Sequence, residues 1–388
     1  MTSVRRSLPD PSPDALAHSR RVVAHIRDRI ATAGGWISFA EYMALALYAP
    51  GLGYYSAGAR KLGEAGDFVT APELTPLFGD AIARQAMQLI KSGCPDILEI
   101  GAGTGALAAG ILAELEREQC LPEHYYILEI SADLRERERD LLHARMPQQM
   151  ERVIWLNQLP PMFNGLVIGN EVLDAMPVNL LQITERGIDE IGVTFDQVTD
   201  QFNFVGQSAT GDLLAIGRAL DLSGPYTTEI GLEARGFIAS IGAMLTRGAA
   251  LFIDYGFPAR EFYHPERMMG TLRCHYRHHA FDDPLFLPGL IDVTAHVDFS
   301  AIATSGRAAG LELAGYTSQA NFLIRCGIID LLARTSPDEP ARYLPMSNAV
   351  QRLLSPAEMG ELFKAIAFTK GLDQPLIGFA SGDRSAAL

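Results

Sequence analysis

The sequence predicts an α/β fold built on a parallel sheet, and three observations carry that expectation. Between residues 96 and 171 short apolar runs alternate with segments of helical periodicity. A glycine-rich turn inside "ILEIGAGTGALAAG", residues 97–110, joins the first of those runs to the first helix. From 178 to about 226 the pattern changes to apolar–polar alternation, which reads as antiparallel hairpins inserted into the α/β core. Strands alternating with helices imply right-handed crossovers and parallel pairing.

The elements follow in order. "PSPDALAHSRRVVAHIRDRIATAGG" opens with Ser12 before Pro13, a cap and a first-turn proline, and Val22, Ile26 and Ile30 then mark one apolar helical face. A second helix is expected over 38–48 and a third over 76–90, so the first 90 residues read as a helical lead-in. The tyrosines and methionines of 42–55 read as core packing. Strands are expected at 96–101, 125–130, 152–156 and 165–171, with helices at 105–118 and 131–144. Beyond the hairpins, a helix is expected over 229–245 and a parallel strand over 248–256. "LELAGYTS" (311–318) and "PLIGFASG" (375–382) are expected to close the sheet as a pair, with helices between them. The domains implied are a helical region 1–90, a core formed by 91–177 and 227–388, and an antiparallel β insertion 178–226.

Composition narrows the class. The 388 residues are 48% hydrophobic and 20% charged, which is globular rather than disordered. The net charge of −14 disfavours general binding to phosphate backbones, so no nucleic-acid partner is expected. Cys94, Cys120, Cys274 and Cys326 show no C-x-x-C spacing, which suits free thiols in a reducing compartment. No apolar run reaches the length of a membrane span, so no membrane insertion is expected. Arg5, Arg6, Arg20 and Arg21 are accompanied by Asp10 and Asp14, unlike an acid-poor transit peptide; a cytoplasmic protein is expected.

The glycines fit two cofactor templates. Gly101, Gly103 and Ala106 satisfy a dinucleotide fingerprint, and Gly101, Gly103 and Gly105 satisfy the looser pattern of S-adenosylmethionine enzymes. Glu129, at the end of the second strand and 24 residues past Gly105, suits the ribose diol of either ligand. Glu99 separates the two better. A carboxylate in an apolar strand two residues before the glycines would repel a pyrophosphate and attract a ligand carrying an ammonium and a sulfonium. Its structural alternative is a cap on backbone amides of the lead-in loop.

"GNEVLDAMP" places Asn170, Glu171 and Asp174 at the carboxyl end of the fourth strand, where open α/β sheets bind ligands. The alternative is turn chemistry alone. "HYRHH", with His275, His278 and His279, lacks the spacing of a structural zinc site, so no metal is expected; a substrate-lining loop is the preferred reading. Asp254 and Tyr255, ending the fifth strand, either face the site or merely terminate the strand. Asp292 and Asp298 read as caps of the next helix.

Taken together, "ISFAEYMALALYAPGLGYY", "GDFVTAPELTPLFG", "ILEIGAGTGALA", "YYILEIS", "GNEVLDAMPV", "FIDYG", "GTLRCHYRH", "PGLIDVTAHVDF" and "LLSPAEMGELFKAIA" resemble the MidA family of S-adenosylmethionine-dependent methyltransferases. The resemblance implies a Rossmann-like, seven-stranded class I methyltransferase sheet with an antiparallel last strand. It also implies S-adenosyl-L-methionine as cofactor and methylation of an arginine on the 49 kDa-type subunit of respiratory complex I, whose assembly mitochondrial members support. By position, Glu99, Gly101, Gly103 and Gly105 would hold the methionine part. Glu129 would hold the ribose, and Asn157, Gln158 and Leu159 would lie near the adenine. Thr70, Pro72 and Glu73 would close over the site. Glu171 and Asp174, with Asn170, would hold the guanidinium. A protein substrate and a second copy of the chain are the expected partners. The competing classes are an NAD-linked oxidoreductase and a non-catalytic assembly chaperone that keeps its cofactor for stability.

Overall fold

The computed structural model describes residues 8–57, 69–222 and 224–388. Arg5 and Arg6, and the Gly66, Asp67 and Phe68 that begin the "GDFVTAPE" motif, lie outside the described residues. The chain divides into two units, one of Met1–Phe68, Asp174–Ala234 and Ala259–His296, the other of Val69–Leu173, Arg235–Pro258 and Val297–Leu388.

The second unit carries the α/β pattern. Its mixed sheet runs in the order Glu312–Ser318, Phe363–Lys370, Leu245–Phe257, Phe163–Asn170, Asp96–Ile100, Tyr125–Leu128, Val153–Leu156, with the short Val297–Asp298 paired off this path. Phe363–Lys370 runs antiparallel to both neighbours, while Leu245–Phe257 through Val153–Leu156 pair in parallel. The strand order reverses between Asp96–Ile100 and Phe163–Asn170, because the first three strands step one way and the later ones the other. That reversal opens a crevice at the strands' carboxyl ends, the usual ligand position of such sheets. Ile97, Tyr125, Ile127, Leu166, Ile168 and Leu251 belong to a core closed by the helices Pro76–Lys91 and Ala106–Arg117. Gly79 and Gly110 let those two helices approach until a Cβ at Gly79 would lie 3.0 Å from Gly110 Cα.

One expected strand is absent. Residues 375–382 hold a short 3-10 turn, Ile377–Phe379, and the reversed strand is Phe363–Lys370 instead. Its segment "FKAIAFTK" is buried along almost its whole length between two neighbours. A strand covered on both faces loses the period-two alternation that announces a half-buried one.

The first unit opens with the helices Pro13–Thr32 and Phe39–Tyr48, capped by Ser12 and Ser38, whose hydroxyls accept the Ala15 and Glu41 amides. Val22, Ile26 and Ile30 are buried, as the helical period requires, and Tyr42, Met43 and Tyr54 join them in the core. An antiparallel sheet runs Ile37–Ser38, Gly187–Asp196, Asn179–Thr184, Tyr226–Ile230, with Gln201–Ser208 also on Gly187–Asp196. The helix Gly211–Ala219 lies in the same stretch, and its Leu213 packs in a cluster with Leu181 and Ile230. A second sheet joins His279–Phe281, Arg273–Tyr276 and Asp292–Thr294.

Candidate cofactor site and its family

The glycine turn follows the strand Asp96–Ile100 directly. Gly101, Gly103 and Gly105 have φ of 64°, 61° and 81°, all in the left-handed region that side chains other than glycine adopt at a cost. Gly101 donates its amide to the Leu128 carbonyl at 2.9 Å and Gly105 to the Ala102 carbonyl at 2.8 Å, which folds the turn back on itself. Gly105 is then the N-cap of Ala106–Arg117. With glycine at 101, 103 and 105 and a helix beginning behind the turn, the first backbone N–H groups of that helix have no partner within the helix and suit an anionic or polar ligand group.

Glu99 is 2% exposed in the strand before the turn. Among the described residues its partner is the Tyr125 hydroxyl, which donates to Oε2 at 2.6 Å. Burial, reinforced by the nearby Glu129 and opposed by the Tyr125 bond, raises its pKa to about 7. Glu129 is buried at the tip of the next strand. Its Oε1 accepts the Ser131 amide at 2.8 Å; burial raises its pKa, while the Ser131 and Ile130 amides and Arg135 pull it back. Arg135 does not pair with the carboxylate. It donates Nε to the Glu129 carbonyl at 2.6 Å and a terminal nitrogen to the Leu156 carbonyl at 2.5 Å, tying two strand tips together. Asn157, Gln158 and Leu159 follow immediately, the first two exposed and the third half-buried.

The fourth strand ends in a shaped turn. Asp254 is buried within Leu245–Phe257, and its Oδ2 accepts the amides of Val172 at 3.1 Å and Leu173 at 2.8 Å. Of the two roles open for Asp254, this is the structural one: it grips the turn that presents Glu171. Glu171 itself has φ 53°, a strained conformation for a side-chain-bearing residue, and its amide donates to the Ile253 carbonyl. Asn170 donates to Glu171 Oε1 at 3.0 Å, and the Ala71 amide approaches the same oxygen at 3.5 Å. Thr70, Pro72 and Glu73 flank Ala71 in the chain. Glu73 closes a capping box there, accepting the Thr70 amide and hydroxyl at 3.2 and 3.4 Å, and Pro72 sits in the first turn of Ala71–Leu74.

Other expected residues lie elsewhere. Asp174 belongs to the first unit, where its carbonyl accepts the Ala295 amide and its charge acts on Tyr55. Asp292 is no helix cap: it is buried in a strand and accepts the Tyr55 hydroxyl at 2.9 Å. Asp298 does cap Phe299–Ala308, accepting the Ala301 amide. His278 and Arg277, at φ 64° and 47°, form the two-residue turn of a hairpin in which His278 and His279 are exposed. Among the described residues, the one group of three side chains with metal-ligand spacing is Asp96, Glu123 and His124, not the histidine loop.

Sequence reasoning missed Arg135, Ile130 and Glu138. Ile130 follows Glu129 and is 67% exposed, an aliphatic side chain left in the open beside the acid. Glu138 lies under the glycine turn, where a Cβ on Gly105 would sit 3.3 Å from its Cα.

The cradle discriminates between ligand types. Two buried acids border the turn, and the arginine nearest to them spends its hydrogen bonds on carbonyls. Such a site penalises a pyrophosphate and accommodates a cationic adenosyl ligand.

Comparison with known proteins agrees. Residues 79–317 match the family described as "Putative S-adenosyl-L-methionine-dependent methyltransferase". The protein arginine methyltransferase NDUFAF7, mitochondrial, of Homo sapiens is 30% identical over 381 residues, covering 89% of this chain and 82% of that protein. Its Bos taurus counterpart is 31% identical, covering 86% and 80%. A crystal structure of a Burkholderia thailandensis protein bound to S-adenosyl-homocysteine superposes with a TM-score of 0.95 at 51% identity, covering 98% of this chain and 100% of that one. The oxidoreductase alternative is thereby set aside, and the chain belongs to the family of S-adenosyl-L-methionine-dependent methyltransferases that includes the mitochondrial NDUFAF7 proteins.

Proposed function

We propose that this chain is a protein arginine N-methyltransferase that uses S-adenosyl-L-methionine to methylate the 49 kDa-type subunit of respiratory complex I in support of its assembly. The observation that carries the reading is the glycine turn bordered by Glu99 and Glu129, on a chain of this family. The named activity of the NDUFAF7 relatives supports arginine as the acceptor. The subunit is taken from the sequence resemblance. The site belongs to a seven-stranded class I sheet, and the protein acts in the cytoplasm as a homodimer.

Each residue then has a task. Gly101, Gly103, Gly105 and Glu99 hold the methionine end, where a carboxylate favours the ammonium and sulfonium. Glu129 accepts the ribose hydroxyls through the oxygen not used by Ser131. Ile130 offers an apolar face to the adenine, and Asn157, Gln158 and Leu159 border its edge. Thr70, Pro72 and Glu73 cover the methyl end. The cofactor supplies a methyl group activated by its sulfonium; the chain supplies placement and charge.

Glu171 receives the substrate guanidinium, which carboxylates bind as a two-pronged partner. Its strained turn is fixed from behind by Asp254, and Asn170 orients its Oε1. Fixing the guanidinium aims one nitrogen at the methyl. Asp174, the second acid expected in this role, belongs to the first unit, and its own substitution to Asn tests it separately.

The experiment is transfer of labelled methyl groups to purified respiratory NADH dehydrogenase subunits. Glu171→Gln is expected to keep cofactor binding and lose at least about 100-fold in methyl transfer, about 2.7 kcal/mol of transition-state stabilisation. Full transfer at saturating substrate removes Glu171 from the mechanism. If that variant still supports complex I assembly, the chaperone reading replaces the catalytic one.

A further inference from the structure

The ground behind the glycine turn holds one more acid than the cofactor contacts use. Glu138, on the helix Ala132–Arg145, has no exposed surface. Its Oε2 accepts the Trp155 indole N–H at 2.7 Å, and its Oε1 is buried with no hydrogen-bond partner among the described residues. An uncompensated buried carboxylate is costly, so such a group stays protonated unless a positive charge arrives. The surrounding groups reinforce this. Glu129 and Glu99, from two strands, both act on it, and buried Tyr125 stands among them. On its own helix, Arg135 is committed to the Glu129 and Leu156 carbonyls, and Arg139 lies 4.8 Å over the Trp155 ring. The adjacent turn brings only glycine, alanine and threonine. Burial, with Glu129 and Glu99, raises its pKa to about 8, against the weaker pull of the Trp155 bond and Arg135.

We propose that Glu138 is a positioning residue for cofactor charge: it releases its proton when the cationic methyl donor is bound and keeps it when the neutral product occupies the same turn. S-adenosyl-L-methionine carries one net positive charge and S-adenosyl-homocysteine none, so the two ligands leave the acids behind the turn with different proton counts. The proton passes to solvent on donor binding and returns after transfer, and no other bond changes. The consequence is selectivity for donor over product that rises with pH. The inference rests on the proposed reading of the turn as the cofactor's cradle.

The test is titration calorimetry of both ligands between about pH 6 and 9, in buffers of different ionisation enthalpy, which counts protons released. With the wild-type chain, the donor is expected to release up to about one proton more than the product. The ratio of product to donor Kd should climb by as much as about tenfold per pH unit within that window. Glu138→Gln keeps the side chain's size and an acceptor for Trp155 but cannot titrate; it should bind both ligands with a ratio that is nearly flat above about pH 8, where Glu99 has already given up its proton. Trp155→Phe, which removes the indole donor, should move the window to higher pH and serves if the first variant does not fold. Equal proton counts for the two ligands, or a ratio that still climbs between about pH 8 and 9 in Glu138→Gln, overturns the proposal. Failure of the wild-type chain to bind either ligand overturns the cradle reading instead.

Discussion

Tyr125 donates its hydroxyl to Glu99 over 2.6 Å, from one parallel strand to the next, where both residues are buried. The register pairs Glu99 with Ile127 and Ile168, so its immediate strand neighbours are apolar. A single phenol therefore keeps a carboxyl tolerable inside the sheet, two residues from the glycine turn.

Replacing Tyr125 by Phe removes that donor and makes Glu99 harder to ionise. Affinity for S-adenosyl-L-methionine is expected to fall about tenfold, the worth of a hydrogen bond to a charged group. Titration calorimetry on the folded variant measures it. Unchanged affinity would separate Glu99 from the cofactor.

Gly105→Ala meets two obstacles at once. The φ of 81° is strained for alanine, and its Cβ would sit 3.3 Å from the Glu138 Cα. A stability loss of about 1–2 kcal/mol is expected in urea unfolding, together with weaker cofactor binding. Gly34→Ala is the control: its φ is 83° but nothing lies within 4 Å, so it should carry the backbone strain and leave cofactor binding intact.

The raised acids give stability a pH dependence with a definite sign. Glu99 and Glu138 are held at about 7 and about 8. Below an ordinary glutamate's value of about 4.3, folded and unfolded chains are both protonated and these groups cost nothing. As pH rises, the unfolded chain gives up its protons first, so the folded state loses ground until the folded values are passed. Without cofactor, Glu138→Gln should gain melting temperature relative to the wild type from about pH 5 to 8, and hold a constant advantage above that. Parallel melting curves across the window would show that Glu138 titrates normally.

The α/β core was legible because each strand from 96 to 170 is short, apolar and followed by a turn or helix signal. Glu99, Glu129 and the glycines stood out as exceptions to their surroundings. The strand Phe363–Lys370 did not, since a strand covered on both sides reads as one apolar run among good helix formers. Glu138 was hidden in "ADLRERERDLLHAR", whose charges look like a solvated face; only the fold shows that this one points inward. Asp254 left two roles open in the sequence, facing the site or ending its strand, because its work is done on amides of another strand's tip. The first unit gathers three separated stretches, a long-range arrangement that no local period carries.

The proposed arginine methylation of a respiratory subunit is tested most directly by mass spectrometry of the NADH dehydrogenase subunits from cells with and without this protein. A methylated arginine is expected on the 49 kDa-type subunit that disappears without the protein and returns with the wild-type chain but not with Glu171→Gln. An identical methylation pattern in both cells would contradict it.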